Sequence, residues 1–445
     1  MFDGIGFFGL AWNTVHALAL STLLMAFACA TPGERRVSVS DGDPHSTGSE
    51  VQQPKAIWTL EGKGLISDLD VNSRSGRILV GTLSDSESPG SFRGALLLSP
   101  NGEVVLNRAL EFPVRQQSLS PSGDRIVVSD YENQVISFGL GKASTWTVSG
   151  HCRPSFIGDS GLILCLHDDD PVTDVPFEIL STQGKRVYLP DYHADALTVR
   201  MSSDGKLFAV LLRGGGVALY GVKSRSSKGS QVHDVELYWR KTFKGEVVDL
   251  AFAEPTIGTL RLGVYVHSEG GERRVHFLDL QGQAVAPSLE LKGIAPSQIG
   301  FQKYEGSGQI VLFAYSNGPR GQWLHSFRLR TQASDGTGRT VPGWEQEWKY
   351  GDEGPAEFSS RLLPLPQGGV LVGMEVDQGP GRLSQLIALS REGQESWRIK
   401  VESEGPAYIF QYALSAEDSV LYLATDDGRL TAYRLPQVEE ARGRN

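Results

Sequence analysis

"SLSPSGDRIVVS" (Ser118–Ser129) contains a polar strand, a tight turn and an apolar strand in one short stretch. Its central Pro-Ser-Gly-Asp supplies residues that bond their own backbone or tolerate a positive φ, so the stretch predicts a β-hairpin. "VRMSSDGKLFAVLL" (Val199–Leu212) repeats the pattern. Looser copies begin at Leu69, Ser155, Leu250, Phe301, Leu362 and Tyr412. Together these copies predict eight hairpins.

A third strand follows each predicted hairpin, and a fourth strand follows it in every unit except the last. "GALLLSPNGE" (Gly94–Glu103) is an example of the third, and the fourth often contains tryptophan: Trp146, Trp239, Trp348 and Trp397. Four strands per unit, repeated about every 40–50 residues, indicate an all-β fold of the β-propeller type, in which stacked sheets bury each other's faces. We expect eight blades, with seven as the alternative because the third strand of the sixth copy is irregular.

The predicted ring closes through the N-terminal part of the repeat region. "KAIWTLEGKG" (Lys55–Gly64) resembles a fourth strand that lacks its own blade, and its "IWTLEG" matches "TWTVSG" from Thr145. The last unit supplies three strands and stops at Pro436. We therefore predict that the strand near Trp58 completes the final blade.

The charge balance disfavours one class of partner. The chain has 52 acidic and 42 basic residues, a net charge of −10. No basic surface is evident that would offset the phosphate charge of nucleic acid, so we expect no nucleic-acid partner.

The N-terminus has the character of a targeting segment. "VHALALSTLLMAFAC" (Val15–Cys29) is an apolar run that ends in small residues, as secretory signals do. Its "AFAC" ending resembles a bacterial lipobox, which implies lipidation of Cys29. An uncleaved membrane anchor is the alternative, since Ile5–Ala30 nearly reaches the length that spans a bilayer. The predicted organisation is a signal peptide (1–29), a disordered tether (30–54), a propeller (55–437) and a tail (438–445).

Two repeat motifs resemble known propeller families. "SPSGDRIVVS" and "SSDGKLFAV" are similar to the turn motif of WD-like and YVTN-type bacterial propellers. "LIALSREGQESW" (Leu386–Trp397) is similar to the repeat of pyrroloquinoline-quinone-type propellers. That second group includes quinoprotein dehydrogenases and non-enzymatic lipoproteins such as the outer-membrane assembly propeller. The lipobox-like N-terminus makes the lipoprotein branch the closer likeness.

Two cysteines flank a predicted turn in "HCRPSFIGDSGLILCL" (His151–Leu166). If residues 157–160 form the loop, Phe156 pairs with Gly161 and Cys152 pairs with Cys165, at cross-strand distance. Export would permit a disulfide there, with two reduced packing cysteines as the alternative. The adjacent cysteine pair typical of quinoprotein dehydrogenases is missing from the sequence.

The densest acidic cluster is "HDDDPVTD", which contains His167, Asp168, Asp169, Asp170 and Asp174. Carboxylates can bind Ca²⁺, but this spacing lacks the Gly and the terminal Glu of an EF-hand. We predict a solvated connection on the rim of the third blade that remains a candidate for binding. The nine His form no paired ligand motif, so we predict no metal site and no cofactor.

We expect a non-catalytic, monomeric scaffold, attached to a membrane through its N-terminus, that binds another envelope protein. Loops on a rigid scaffold commonly carry binding. The candidates are the second-to-third connections Ser84–Arg93, His167–Pro176, Ser316–Gln322 and Asp377–Leu383, and the fourth-to-first junctions that contain Glu353 and Glu404. "KSRSSKGS" (Lys223–Ser230) is expected to be a solvated basic loop. The alternatives are a quinone- or Ca²⁺-dependent periplasmic enzyme and a carbohydrate-binding propeller.

Overall fold

The computed structural model describes most of the repeat region. The described residues are 53–61, 66–72, 74–82, 94–141, 145–150, 152–167, 175–202, 204–227, 230–252, 262–303, 310–318, 321–334, 340–352, 362–365, 369–377, 382–401, 409–415, 419–425 and 428–436. Within them, the strands form eight antiparallel sheets of four strands each. The predicted eight-bladed β-propeller is therefore confirmed.

The strands follow the chain in order, so each of the first seven sheets is one blade built from consecutive strands. Blade 1 contains β2 (Ile66–Val71), β3 (Ile78–Thr82), β4 (Gly94–Leu98) and β5 (Val104–Ala109), and blade 2 contains β6 (Val114–Leu119), β7 (Arg125–Asp130), β8 (Gln134–Gly139) and β9 (Trp146–Ser149). Blade 3 contains β10 (Arg153–Ile157), β11 (Leu162–Leu166), β12 (Phe177–Leu180) and β13 (Arg186–Tyr188). Blade 4 contains β14 (Ala196–Met201), β15 (Leu207–Leu212), β16 (Gly216–Ser227) and β17 (Ser230–Thr242).

Blades 5 to 8 continue the series, and the first strand of the chain joins the last blade. Blade 5 contains β18 (Glu246–Phe252), β19 (Leu262–His267), β20 (Arg273–Leu278) and β21 (Leu289–Glu290), and blade 6 contains β22 (Pro296–Lys303), β23 (Ile310–Gly318), β24 (Gly321–Ser334) and β25 (Thr340–Asp352). Blade 7 contains β26 (Leu362–Pro364), β27 (Val370–Asp377), β28 (Arg382–Leu389) and β29 (Glu395–Val401). Blade 8 contains β30 (Ile409–Ser415), β31 (Val420–Thr425), β32 (Arg429–Arg434) and β1 (Lys55–Glu61).

The ring closes through β1, as predicted. This strand pairs antiparallel with β32, from Lys55 opposite Arg434 to Glu61 opposite Arg429. It is the outermost strand of blade 8, in the sheet order β1-β32-β31-β30. The two ends of the repeat region therefore share one sheet.

The core lies between blades rather than inside them. β3, "ILVGT", is buried along its whole length, since each side of a middle strand contacts a different neighbouring blade. Ile78 and Val80 of blade 1, for example, share one cluster with Tyr422 and Leu430 of blade 8. Stacking of blades thus removes both apolar faces of each sheet from water.

Tryptophans on outer strands connect blades in alternation. Each indole N–H donates to a carbonyl in the third-to-fourth turn of the next blade: Trp58 to Pro100 (3.0 Å), Trp146 to Thr182 (2.7 Å), Trp239 to Asp279 (3.3 Å) and Trp348 to Arg391 (2.9 Å). Each indole also covers a turn glycine: Gly102, Gly184, Gly282 or Gly393. These contacts join blades 8 to 1, 2 to 3, 4 to 5 and 6 to 7.

Trp397 packs differently because of the ring closure. The third strand of blade 8 is followed by no fourth-strand turn, since its fourth strand is β1. Trp397 is instead buried, with an exposed fraction of 3%, beside Tyr433 and Leu435 of blade 8.

The hairpin around the cysteines has a different register from the one predicted. Ile157 pairs with Leu162 and Pro154 with Cys165, so the pairing is shifted by two residues. The cause is the 3₁₀ turn at Gly158–Ser160, which Gly161 ends in a left-handed conformation with φ of 70°. Cys152 precedes β10, and it forms a disulfide with Cys165 across a diagonal Cα separation of 5.0 Å.

Candidate functional site

The inner strands of the propeller line its central channel, and their spare N–H groups face the next blade. In six blades the pairing between the first and second strands contains a register shift. The shift lies just before Asp68, Gln116, Thr198, Asp249, Gln298 or Gln411 of the first strand. A bulge of this kind re-aims the side chain that follows it. Four of these side chains supply an acceptor to the neighbouring inner strand.

These contacts form a belt of hydrogen bonds around the channel. A side-chain oxygen of one blade accepts from a backbone N–H of the next: Gln411 from Leu69 (2.8 Å), Asp68 from Gln117 (2.8 Å), Asp70 from Leu119 (2.7 Å), Ser118 from Phe156 (3.2 Å), Asp249 from Ile299 (2.9 Å) and Gln298 from Leu362 (3.0 Å). The belt satisfies N–H groups that would otherwise be left at the edge of each sheet.

Two carboxyl groups in this belt, those of Asp68 and Asp249, have a raised pKa. Burial raises the pKa of Asp68 to about 6, and the nearby Asp70 adds to this effect. Burial also raises the pKa of Asp249, although Arg200 of blade 4 donates to it at 3.0 Å and opposes the rise. Asp249 thus connects blades 4, 5 and 6, because its other oxygen accepts from Ile299. Both carboxylates hold the ring together.

The most prominent surface feature is a pair of extended hairpins. We call the end of the ring that carries the first-to-second and third-to-fourth connections the turn face. On it, β16 and β17 run past the end of β15, which stops pairing at Gly221, and continue to Ser227 opposite Ser230. β24 and β25 likewise continue past β23 to Ser334 opposite Thr340.

We call these extensions the blade 4 arm (222–227 with 230–235) and the blade 6 arm (329–334 with 340–344). Six residues of strand correspond to about 20 Å. Blade 5 lies between them, and the connection of its third and fourth strands, residues 279–288, begins with the short turn Asp279–Gln283. The arms therefore flank blade 5 on the turn face.

Charged pairs run along both arms. In the blade 4 arm, Arg225 binds Asp234 at 3.0 Å and Lys223 binds Glu236. In the blade 6 arm, Arg330 binds Glu345 at 2.7 Å. Cross-strand pairs of opposite charge stabilise a hairpin modestly, and such exposed charges discourage indiscriminate edge pairing.

The roots of the arms are anchored in the blades. Trp344 stacks on Phe277 of blade 5, with ring centroids 4.4 Å apart, and its indole N–H donates to Pro287 O at 3.1 Å. Val222 and Val235 pack against the core between blades 3 and 4. Each arm is thus a rigid extension of its blade at the root.

The sequence interpretation missed both arms. Lys223–Ser227, expected to be a basic loop, belongs to β16, and the third strand of blade 6, expected to be irregular, is the long β24. Charged and small residues conceal a strand here, because beyond the roots the arms have few large apolar residues. The alternation of Lys223 and Arg225 opposite Asp234 and Glu236 was the available signal.

Of the predicted rim residues, the structure describes His167 alone. His167 is described and is buried, with an exposed fraction of 7%, and its ring lies 3.9 Å from Glu178. Cys29, Asp168, Asp169, Asp170, Asp174, Glu353 and Glu404 lie outside the described residues. Cys152 and Cys165 are bonded and buried.

Among the described residues, no group of three or more His, Cys, Asp or Glu side chains is arranged to hold a metal ion. In the same part of the chain, no helix is long and apolar enough to cross a bilayer.

Comparisons with known proteins identify the fold but no family. No family model matches the chain, and no curated protein shows significant sequence similarity to it. Saccharomyces cerevisiae Sqt1 is similar in structure, with a TM-score of 0.57, 9% identity and coverage of 87% of this chain and 100% of that chain. At this identity the likeness shows the β-propeller fold alone.

Two further structures are similar at lower scores. BamB from Moraxella catarrhalis has a TM-score of 0.47 and 11% identity, and covers 87% of this chain and 99% of its own. The β-propeller domain of Myceliophteria thermophila Cps50 (Swd1) has a TM-score of 0.44 and 12% identity, over 86% of this chain and 100% of its own.

Proposed function

We propose that this protein is a non-catalytic scaffold of the cell envelope that binds another protein through its two arms. The observation that carries the proposal is the extension of β16–β17 and β24–β25 beyond their blades. An isolated two-stranded hairpin is marginally stable in water. Contact with a partner would cover the exposed edges of both arms.

The mode of binding follows from the arms' structure. Strand edges expose backbone N–H and C=O groups, and partners recognise such edges by adding a strand. The charged pairs Arg225–Asp234 and Arg330–Glu345 give each arm a fixed pattern that a partner must match. Electrostatic matching of this kind contributes specificity more than raw affinity.

An envelope location is supported by two features. The N-terminal apolar run that ends at Cys29 has the character of an export signal. The Cys152–Cys165 disulfide supports this location, because disulfides are typical of oxidising compartments and cytosolic thiols are kept reduced. We propose that lipidated Cys29 anchors the propeller to a membrane through the tether.

Shortening both arms tests the proposal. Lys223 pairs with Asp234 and Arg330 pairs with Gly343, so an Asn-Gly turn can replace residues 224–233 and 331–342. We expect the recovery of a discrete partner from envelope extract to fall at least tenfold, with an unchanged melting temperature.

The matched control is the pair Asp195→Asn and Arg213→Gln. These residues form an exposed ion pair of 2.9 Å on the opposite end of blade 4. The control should recover the partner as the parent protein does. Equal recovery by the arm-shortened and parent proteins would contradict the proposal.

A further inference from the structure

A cleft opens between blades 2 and 3 on the turn face. Its volume is about 410 Å³, within the range of small-ligand sites. Its lining comes from the first turns of blades 1 to 3, from Arg125 and Phe156 on the strands beside them, and from Thr182 in the third-to-fourth turn of blade 3. The arms belong to other blades, so the cleft is a separate site.

The cleft exists because the two turns beside it lean apart. The turn of blade 2 leans on blade 1, where Arg77 donates to Gly123 O and Asn72 donates to Ser120 O, both at 2.6 Å. The turn of blade 3 leans on blade 4, since a Cβ built on Gly205 would lie 2.0 Å from Gly158 Cα. The gap between them is built into the backbone.

Opposite charges lie at the mouth of the cleft. Arg74 of blade 1 reaches over the turn of blade 2 to Asp159 of blade 3, at 2.5 Å. Their side chains keep exposed fractions of 63% and 58%. An ion pair this exposed contributes little, because water solvates both charges well when they separate. The pair can therefore open for a ligand that replaces both charges.

Further charged and apolar side chains line the cleft. Asp124 accepts hydrogen bonds from the hydroxyls of Ser120 and Ser122, and these contacts lower the pKa of Asp124. Arg125 lies beside it in the lining. Phe156, with an exposed fraction of 7%, and Pro121 supply apolar surface.

We propose that this cleft binds a peptide that carries one cationic and one anionic group on either side of an apolar side chain. The cation binds Asp159 and Asp124, and the anion binds Arg74 and Arg125. The apolar side chain packs on Phe156 and Pro121. A ligand with one charge alone would leave either Arg74 or Asp159 without its counter-ion, so both charges are required.

Two sources can supply this chemistry: a short free peptide with charged termini, or an internal segment of a folded protein. Titration calorimetry on the full-length protein can distinguish them. The probes are Ala-Leu-Ala with free termini, the blocked peptides Ac-Lys-Leu-Glu-NH₂ and Ac-Glu-Leu-Lys-NH₂, and the neutral Ac-Gln-Leu-Gln-NH₂. Binding of the free tripeptide assigns the first source, and binding of a blocked charged peptide assigns the second.

Arg74→Gln and Asp159→Asn should each lower, by at least tenfold, the affinity for the charged peptide that binds. Asp195→Asn with Arg213→Gln, the exposed pair on the opposite face, should leave binding unchanged. The proposal is overturned if no charged peptide binds more tightly than the neutral one, or if the cleft variants bind as the parent does. The arm-shortened protein should still bind the peptide, so failure here is distinct from failure of the proposed scaffold function.

Discussion

Asp68 shows how one side chain couples the contact between two blades to protonation. Its carboxyl accepts from the N–H of Gln117 in the next blade, and burial raises its pKa to about 6 from 3.8. The folded chain therefore retains this proton at pH values where the unfolded chain has lost it. Stability from Asp68 is then present below pH 4 and declines as pH rises through about 6.

Asp68→Asn should remove this pH dependence, since an amide remains neutral throughout. Between pH 4 and pH 7 the parent protein should lose roughly 2–3 kcal/mol more of its free energy of unfolding than the variant does. Urea unfolding followed by tryptophan fluorescence measures the difference. Parallel pH profiles for the two proteins would contradict the assignment.

Gly184 tests the tryptophan contacts between blades. It has a φ of +75°, and an added Cβ would lie 2.8 Å from the indole of Trp146. Gly141 has nearly the same φ, +74°, but an added Cβ there would meet no atom within 4 Å. Gly141→Ala therefore measures backbone strain alone.

Gly184→Ala should destabilise the protein by about 2–4 kcal/mol, and Gly141→Ala by about 1 kcal/mol. The excess reflects the displaced indole and the loss of its hydrogen bond to Thr182. Thermal unfolding of the two variants side by side makes the comparison. Equal losses would mean that the indole moves aside without cost.

The sequence predicted the strand on which many side chains lie, but it did not predict which groups of the next blade they contact. The sequence placed Trp146, Trp239 and Trp348 on fourth strands, and the structure shows that their indoles bond to the next blade. The belt around the channel was not predicted. Its members, such as Asp249 and Ile299, are about one blade apart in the chain, and only the ring geometry brings them together.

At the scale of elements, β1 is the clasp that closes the ring. It supplies the fourth strand of blade 8, and Trp58 then contacts the turn of blade 1 that contains Gly102. Closure therefore depends on a contact between distant parts of the chain, and non-local contacts of this kind form slowly in folding.

Deletion of residues 55–62 should lower the melting temperature of the whole propeller. The deletion exposes β32 and removes the contact of Trp58 with blade 1. Deletion of residues 40–47 in the tether is the control of equal length and should leave the melting temperature unchanged. Calorimetry compares the three proteins, and an unchanged melting temperature after the first deletion would refute the role of the clasp.

Local patterns predicted the elements well where neighbouring blades bury them. Hairpins such as Ser118–Ser129 carry turn residues and apolar strands together, so strand positions and closure could be inferred. Register depended on a detail that the sequence leaves open, namely whether Gly161 belongs to the loop or to the strand. The arms were missed because, beyond their roots, charged and small residues replace the apolar pattern that marks the buried strands.

At the scale of the whole molecule, the proposed lipid anchor at Cys29 would determine where the propeller acts. We expect Cys29→Ser to move the protein from the membrane fraction to the soluble periplasmic fraction, because lipidation needs the thiol. The double change of Cys152 and Cys165 to Ser is the control and should leave the protein in the membrane fraction. Membrane retention of the Cys29→Ser protein would favour the uncleaved anchor instead.

The fold predicted from the sequence does not identify the functional surface, because many functions share one scaffold. The sequence directed attention to the connections near His167, Glu353 and Glu404. The described structure directs it to the turn face, where the two arms and the cleft lie. Both features arise from how whole blades extend or lean, which local patterns do not encode.

Photo-crosslinking in cells tests the central claim, that the arms bind a partner protein, most directly. A photoreactive residue replaces Arg225 or Arg330 in the arms. The control positions are Lys185 on the turn face and Arg213 on the opposite face. The account predicts one discrete crosslinked partner, the same at Arg225 and Arg330, and none at the control positions. No product at the arms, or equal products at all four positions, would contradict it.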